Sequence, residues 1–183
     1  MSKENQPILN NFKINSLAHK KYIIISLFSI AAISFFLRLN FVSFELPVTL
    51  DALLYFWYAN DMSQLGHFPH GYNDATNNGW PSFLSLFFSA YQSSNFLDYM
   101  ILQRIITISI SVSTIIPIYF LCRRFVPEYF AIFGAALFAF EPRLIQNSVL
   151  GFSESFFIFT MIFSIYFITR NEKNTLSLSL IHI

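Results

Sequence analysis

Charge is what this sequence has least of: Asp, Glu, Lys and Arg make up 11% of its 183 residues, against about 25% in soluble domains. So little charge excludes a disordered chain, whose composition is the reverse. It also excludes a nucleic-acid binder, which needs a basic face. With one cysteine, Cys122, an internal disulfide framework is excluded too. No internal repeat or low-complexity tract is present. What remains is apolar: 55% of residues are hydrophobic, 24 are phenylalanine, and the mean hydropathy is +0.52. This is the composition of an integral membrane protein.

A helix needs about 20 apolar residues to cross the hydrocarbon core, where only internal hydrogen bonds satisfy the backbone. Four stretches are candidates, the third of them short. The first is Tyr22–Leu37, extended to Phe44 if Arg38 snorkels, and it follows Lys3, Lys13, Lys20 and Lys21. A cleaved signal peptide is the alternative reading, but no small-residue cleavage site follows. The others are Met100–Leu121, ending on Arg123 and Arg124; Val126–Phe140, ending at Glu141; and Ser155–Thr169, ending on Arg170 and Lys173. Alternating passes put these basic ends on one side, which the positive-inside rule makes cytoplasmic together with the N-terminus. Seven of the ten acidic residues fall on the other side: Glu45, Asp51, Asp61, Asp74, Asp98, Glu141 and Glu154.

The expected fold is therefore all-α, a polytopic transmembrane bundle of about four crossings with interfacial helices in its first outer loop. Residues 1–21 read as a cytoplasmic tail, 22–173 as the transmembrane unit and 45–80 as the outer loop. Pro81–Tyr91 is too short to cross and reads as an interfacial or re-entrant helix. Residues 174–183 begin a further apolar segment that stops early, so the expectation is the front part of a longer protein.

The outer loop carries the chemistry-bearing candidates. Asp51 is expected as the N-cap of an aromatic-rich helix, Asp51–Leu65, lying at the headgroup level and closed by Gly66. An acidic cap is one reading of Asp51; a general base held at the membrane surface is the other. Glu154 lies in the next outer segment, and two carboxylates at the mouth of one bundle can converge on one substrate. Tyr55, Phe56, Trp57 and Tyr58 read as an interfacial anchor or, through Trp57 and Tyr58, as a sugar-binding platform. His67, His70 and Asp74 read as loop residues or, by a weak His-x-x-His signal, as metal ligands. No metal site is assigned.

The order of segments resembles the N-terminal part of the GT-C superfamily of membrane glycosyltransferases, in its family 39-type branch related to protein O-mannosyltransferases and lipid A aminoarabinose transferases. The residues that carry it are TLDALLYFWYANDMSQLGHFP, NNGWPSFLSLFFSAY and EPRLIQNSVLGFSES, and the resemblance spans nearly all of residues 20–170. It implies an inverting transfer of sugar from a polyprenyl- or dolichyl-phosphate carrier to a protein, lipid or glycan acceptor on the extracytoplasmic face. It maps the first-loop acid of the family onto Asp51 and the second-loop acid onto Glu154. Where the family often has two adjacent acids, this chain has Ala52 after Asp51. The resemblance leaves a divalent metal ion open as cofactor. It implies a multi-pass protein, expected in a prokaryotic plasma membrane.

A departing lipid phosphate calls for a cation near the membrane surface. Arg104, about one turn inside the second crossing, is the first candidate, since an intramembrane arginine is costly; pairing with Asp98 or snorkelling is its structural alternative. Arg143 beside Glu141 is the second. A non-catalytic membrane subunit, a transporter piece and an inactive remnant are the competing readings. The near absence of charge within the crossings disfavours an ion pathway.

Overall fold

The apolar runs all become helix. The computed structural model describes residues 6–71, 78–91 and 93–170, and eight helices and no strand occur among these described residues. They are α1 (Gln6–Phe41), α2 (Asp51–Leu65), α3 (Gly79–Ala90), α4 (Phe96–Ser113), α5 (Ile115–Cys122), α6 (Glu128–Ala139), α7 (Pro142–Leu150) and α8 (Glu154–Arg170). Two stretches are long and apolar enough to cross a membrane, Lys20–Phe41 and Phe96–Cys122; α6 and the apolar part of α8 are shorter. The segment expected after residue 173 lies outside the described residues.

Local sequence explains the boundaries. α1 starts at Gln6, so helix runs back through most of the stretch expected as a separate tail, for 36 residues in all. The second apolar run is broken at Thr114 into α4 and α5. Pro117 is the cause: it has no N–H to give the carbonyl of Ser113, and its ring crowds that carbonyl. α2 ends on Gly66 in the left-handed conformation (φ 71°), whose N–H bonds the Met62 carbonyl. A glycine adopts this backbone without steric cost.

Two apolar clusters hold the helices together. One joins α2, α3 and α4 through Ala52, Tyr55, Phe56, Trp80, Leu84, Phe88, Met100 and Ile106. Within it Phe56 and Phe88 meet edge to face, 5.7 Å between centroids. α2 packs into this cluster rather than resting on a surface: seven of its 15 residues are buried. The other cluster packs α1, α5 and α6 around Ile115, Tyr119, Ala131, Ala135 and Ala139. Alanine every fourth residue gives α6 a flat stripe that lets α1 approach closely.

Between the clusters the interior is polar. Gln103, Arg104, Thr107, Ser111 and Thr114 on the α4 side face Ser34 and Arg38 of α1, Ser148 of α7 and Ser155 of α8, all buried. Outward, α1 exposes Tyr22, Ile24, Ile25, Phe28, Ile33 and Phe36, and α6 exposes Tyr129, Phe130, Phe133 and Leu137. Apolar patches of this extent mark contact with a membrane or another protein.

Candidate functional site

The segment from Glu141 to Glu154 is built by a short chain of local interactions. The Glu141 carboxylate accepts the Leu144 N–H at 2.7 Å and caps α7, with Pro142 at the first helical position. α7 closes in a Schellman turn: Phe152 N–H bonds the Asn147 carbonyl, Gly151 N–H that of Ser148, and Gly151 holds φ 82°. The turn delivers Glu154 to the exposed first position of α8.

Ser148 anchors α7 to the bundle. Its hydroxyl accepts from Arg38 Nε at 3.1 Å, and its carbonyl accepts from Thr107 Oγ1 at 2.7 Å. Arg38 does not snorkel. It is fully buried and also donates to the Ser34 and Ala139 carbonyls, to Ser111 Oγ and to Ser34 Oγ. No carboxylate is among these partners, so carbonyl and hydroxyl dipoles alone compensate the charge.

Asp51 reaches its position differently from expectation. It is not the N-cap of α2 but the first helical residue; Leu50 occupies the cap with φ 55° and ψ −136° and offers no side-chain oxygen. Leu50 is the one non-glycine residue with positive φ among those described, a costly backbone that tends to gather at functional positions. Asp51 is exposed, at the helix end where a negative charge is favoured.

Two contacts bring the Asp51 and Glu154 helix starts together. The Gln103 side-chain amide donates to the Ala52 carbonyl at 3.1 Å and to the Gly151 carbonyl at 2.9 Å. Phe156, two residues after Glu154, stacks on Phe83 at 4.8 Å and lies 5.6 Å from Trp80 between centroids. α3 thus links α2 to α8. Both carboxylates open to solvent at one end of the bundle.

The other candidates separate. Both terminal nitrogens of Arg104 are committed to backbone: Nη1 to the Ser43 and Leu46 carbonyls at 2.7 Å, Nη2 to Pro47 at 3.0 Å. Arg104 therefore neither pairs with Asp98 nor snorkels. It holds the connection between α1 and α2, while Asp98 accepts from Ser93 Oγ. Arg143 is exposed beside an open groove lined by Glu141, Gln146, Asn147, Leu150 and Phe152. Tyr58 is buried, its hydroxyl donating to Asn78 Oδ1 at 2.8 Å. Trp57 is part-exposed against Phe56 and Phe96. His67 Nδ1 lies 3.1 Å from the Phe68 carbonyl, and Asp74 lies outside the described residues. Among the described residues no three His, Cys, Asp or Glu side chains gather as a metal site would require.

Sequence reading missed Arg38, Gln103, Thr107 and Ser148 as organising residues. A signal was there for α4: Gln103, Thr107 and Ser111 recur every fourth position in an otherwise apolar helix, marking one polar face. No protein-family model matches the chain, and neither a curated protein nor a solved structure matches it.

Proposed function

We propose that this chain is a multi-pass membrane glycosyltransferase with a cytoplasmic N-terminus, transferring sugar from a polyprenyl-phosphate donor to an acceptor on the opposite face. The observation that carries the reading is the Gln103 bridge, which ties the backbone beside Asp51 to the turn before Glu154. Two exposed carboxylates on rigid helix starts, at one end of an apolar bundle, suit an acceptor arriving from water and a donor arriving from lipid. The acceptor hydroxyl oxygen bonds to the anomeric carbon as the bond from that carbon to the phosphate oxygen breaks. The hydroxyl proton passes to Asp51, and the lipid phosphate leaves with the electron pair. Glu154 orients the acceptor, and Arg143 is the exposed cation for the phosphate.

A second reading, a non-catalytic membrane subunit, is favoured by one observation. Arg104 spends its terminal nitrogens on backbone carbonyls, so it is not available to a leaving phosphate. The two readings part in proteoliposomes supplied with polyprenyl-phosphate-linked sugar and a peptide or glycan acceptor. Transfer with inverted anomeric configuration and release of polyprenyl phosphate supports the enzyme. Absence of transfer with every donor, from protein that stays folded in the bilayer, supports the subunit.

A further inference from the structure

We propose that the end of the bundle opposite the two carboxylates binds anionic phospholipid headgroups through a basic rim formed by Lys20, Lys21, Arg123 and Arg124. The register of α1 on α6 assembles this rim from distant parts of the chain. Ser34 Oγ donates to the Ala139 carbonyl at 3.1 Å, and Ile23, Leu27, Ile30 and Ala31 pack on the cluster that holds the alanine stripe of α6 with Ile115 and Tyr119 of α5. The two helices therefore run parallel. Eleven residues back from that bond, about 16 Å at 1.5 Å per residue, Ile23 lies level with Glu128. Lys20 and Lys21, one turn earlier and both exposed, then lie level with the turn that carries Arg123 and Arg124.

The end of α8 joins the same level. The Arg124 guanidinium sits 5.1 Å above the Tyr166 ring, and Tyr166 lies 6.0 Å from Phe120. Arg123 pairs with Glu128 at 3.3 Å and its side chain stays about half exposed, so among the described side chains at this level four cations stand against one carboxylate.

What surrounds the cations selects the partner. Tyr22, Phe125, Tyr129 and Phe130 are exposed at this level, and Ile24, Ile25 and Phe28 are exposed just above. A band of exposed aromatic rings between cations and aliphatic surface matches the step from headgroup to acyl chain. An acidic protein surface offers nothing to cover the apolar side. The inference rests on the membrane-spanning reading of the bundle and is independent of sugar transfer.

The test uses purified protein in neutral detergent, with phosphatidylglycerol or phosphatidylcholine titrated in and bound lipid counted by native mass spectrometry. The wild type is expected to retain phosphatidylglycerol at least about tenfold better, with the preference shrinking at high salt. The variant Lys20→Gln/Lys21→Gln/Arg123→Gln/Arg124→Gln is expected to lose the preference to within about twofold. Lys20→Gln/Lys21→Gln, which changes only exposed side chains, is expected to lose about threefold and serves if the fourfold variant does not fold. Equal retention of both lipids by the wild type, or an unchanged preference in both variants, overturns the proposal. Displacement of lipid by inorganic phosphate at equal concentration also overturns it, in favour of a free-phosphate site. Carbonate extraction of the protein from membranes would instead sink the spanning reading.

Discussion

The side-chain amide of Gln103 bonds the carbonyl of Ala52 at 3.1 Å and the carbonyl of Gly151 at 2.9 Å, joining two segments far apart in the chain. One buried residue thereby sets the relative position of the α2 and α8 starts. Gln103→Leu keeps the volume and removes both donors, leaving two buried carbonyls short of a partner, which costs about 1–3 kcal/mol. A lower melting temperature in micelles is expected. Gln103→Glu should cost more, because a carboxylate would face two carbonyl oxygens. Equal stability of all three proteins contradicts the bridge.

Arg38 and Ser148 are expected to be energetically coupled. Arg38→Lys keeps a charge but loses the planar fork that serves Ser148, Ser111 and the Ala139 carbonyl together. A double-mutant cycle with Ser148→Ala should give a coupling of about 1–3 kcal/mol in denaturant unfolding. Additive losses would show that the contact carries little energy.

Leu50 offers a gain of stability. Its side chain is 76% exposed, so little burial is lost on truncation, while its φ of 55° with ψ −136° is strained for any L side chain. Leu50→Gly is expected to raise stability by about 1 kcal/mol. Gly151→Ala is expected to lower it by about 1–2 kcal/mol. The added Cβ there would meet Gln103 and Arg104 no closer than 3.5 Å, so the cost lies in the backbone rather than in a clash. Thermal melts of both variants check the pair of signs.

The positions of the two carboxylates can be probed from outside. In a Cys122→Ser background, Asp51→Cys and Glu154→Cys should both react with a membrane-impermeant maleimide applied to one side of sealed vesicles. Labelling of one from each side would separate the two helix starts.

Much of the fold was legible because hydropathy is a local property. The runs that became α1, α6 and α8, the short α3 and the Gly66 stop could all be read in sequence. The roles of the arginines could not. Arg38 finds its partners on other helices 73 to 110 residues away along the chain, and Arg104 finds its own about 60 away; no local pattern encodes such pairings. Sequence reading therefore allowed snorkelling for the first and offered the second as a phosphate cation, with Asp98 pairing or snorkelling as its alternative. The cap of α2 was misplaced by one residue for a related reason: local preference favours Asp over Leu there, whereas the chain is held by Val48 and Ala52, buried on either side of it. The Gln103 bridge from the backbone beside Asp51 to the turn before Glu154 was not legible either, since its two carbonyl partners lie about 50 residues away in opposite directions along the chain.

Sugar transfer by Asp51→Asn is the most direct test of the account. The variant changes one exposed side chain without altering its size, so folding should be preserved. Loss of a positioned general base predicts turnover reduced by about 10²–10⁴, with donor retention unchanged in the same proteoliposomes. Undiminished turnover would remove Asp51 from the chemistry and contradict the proposed site.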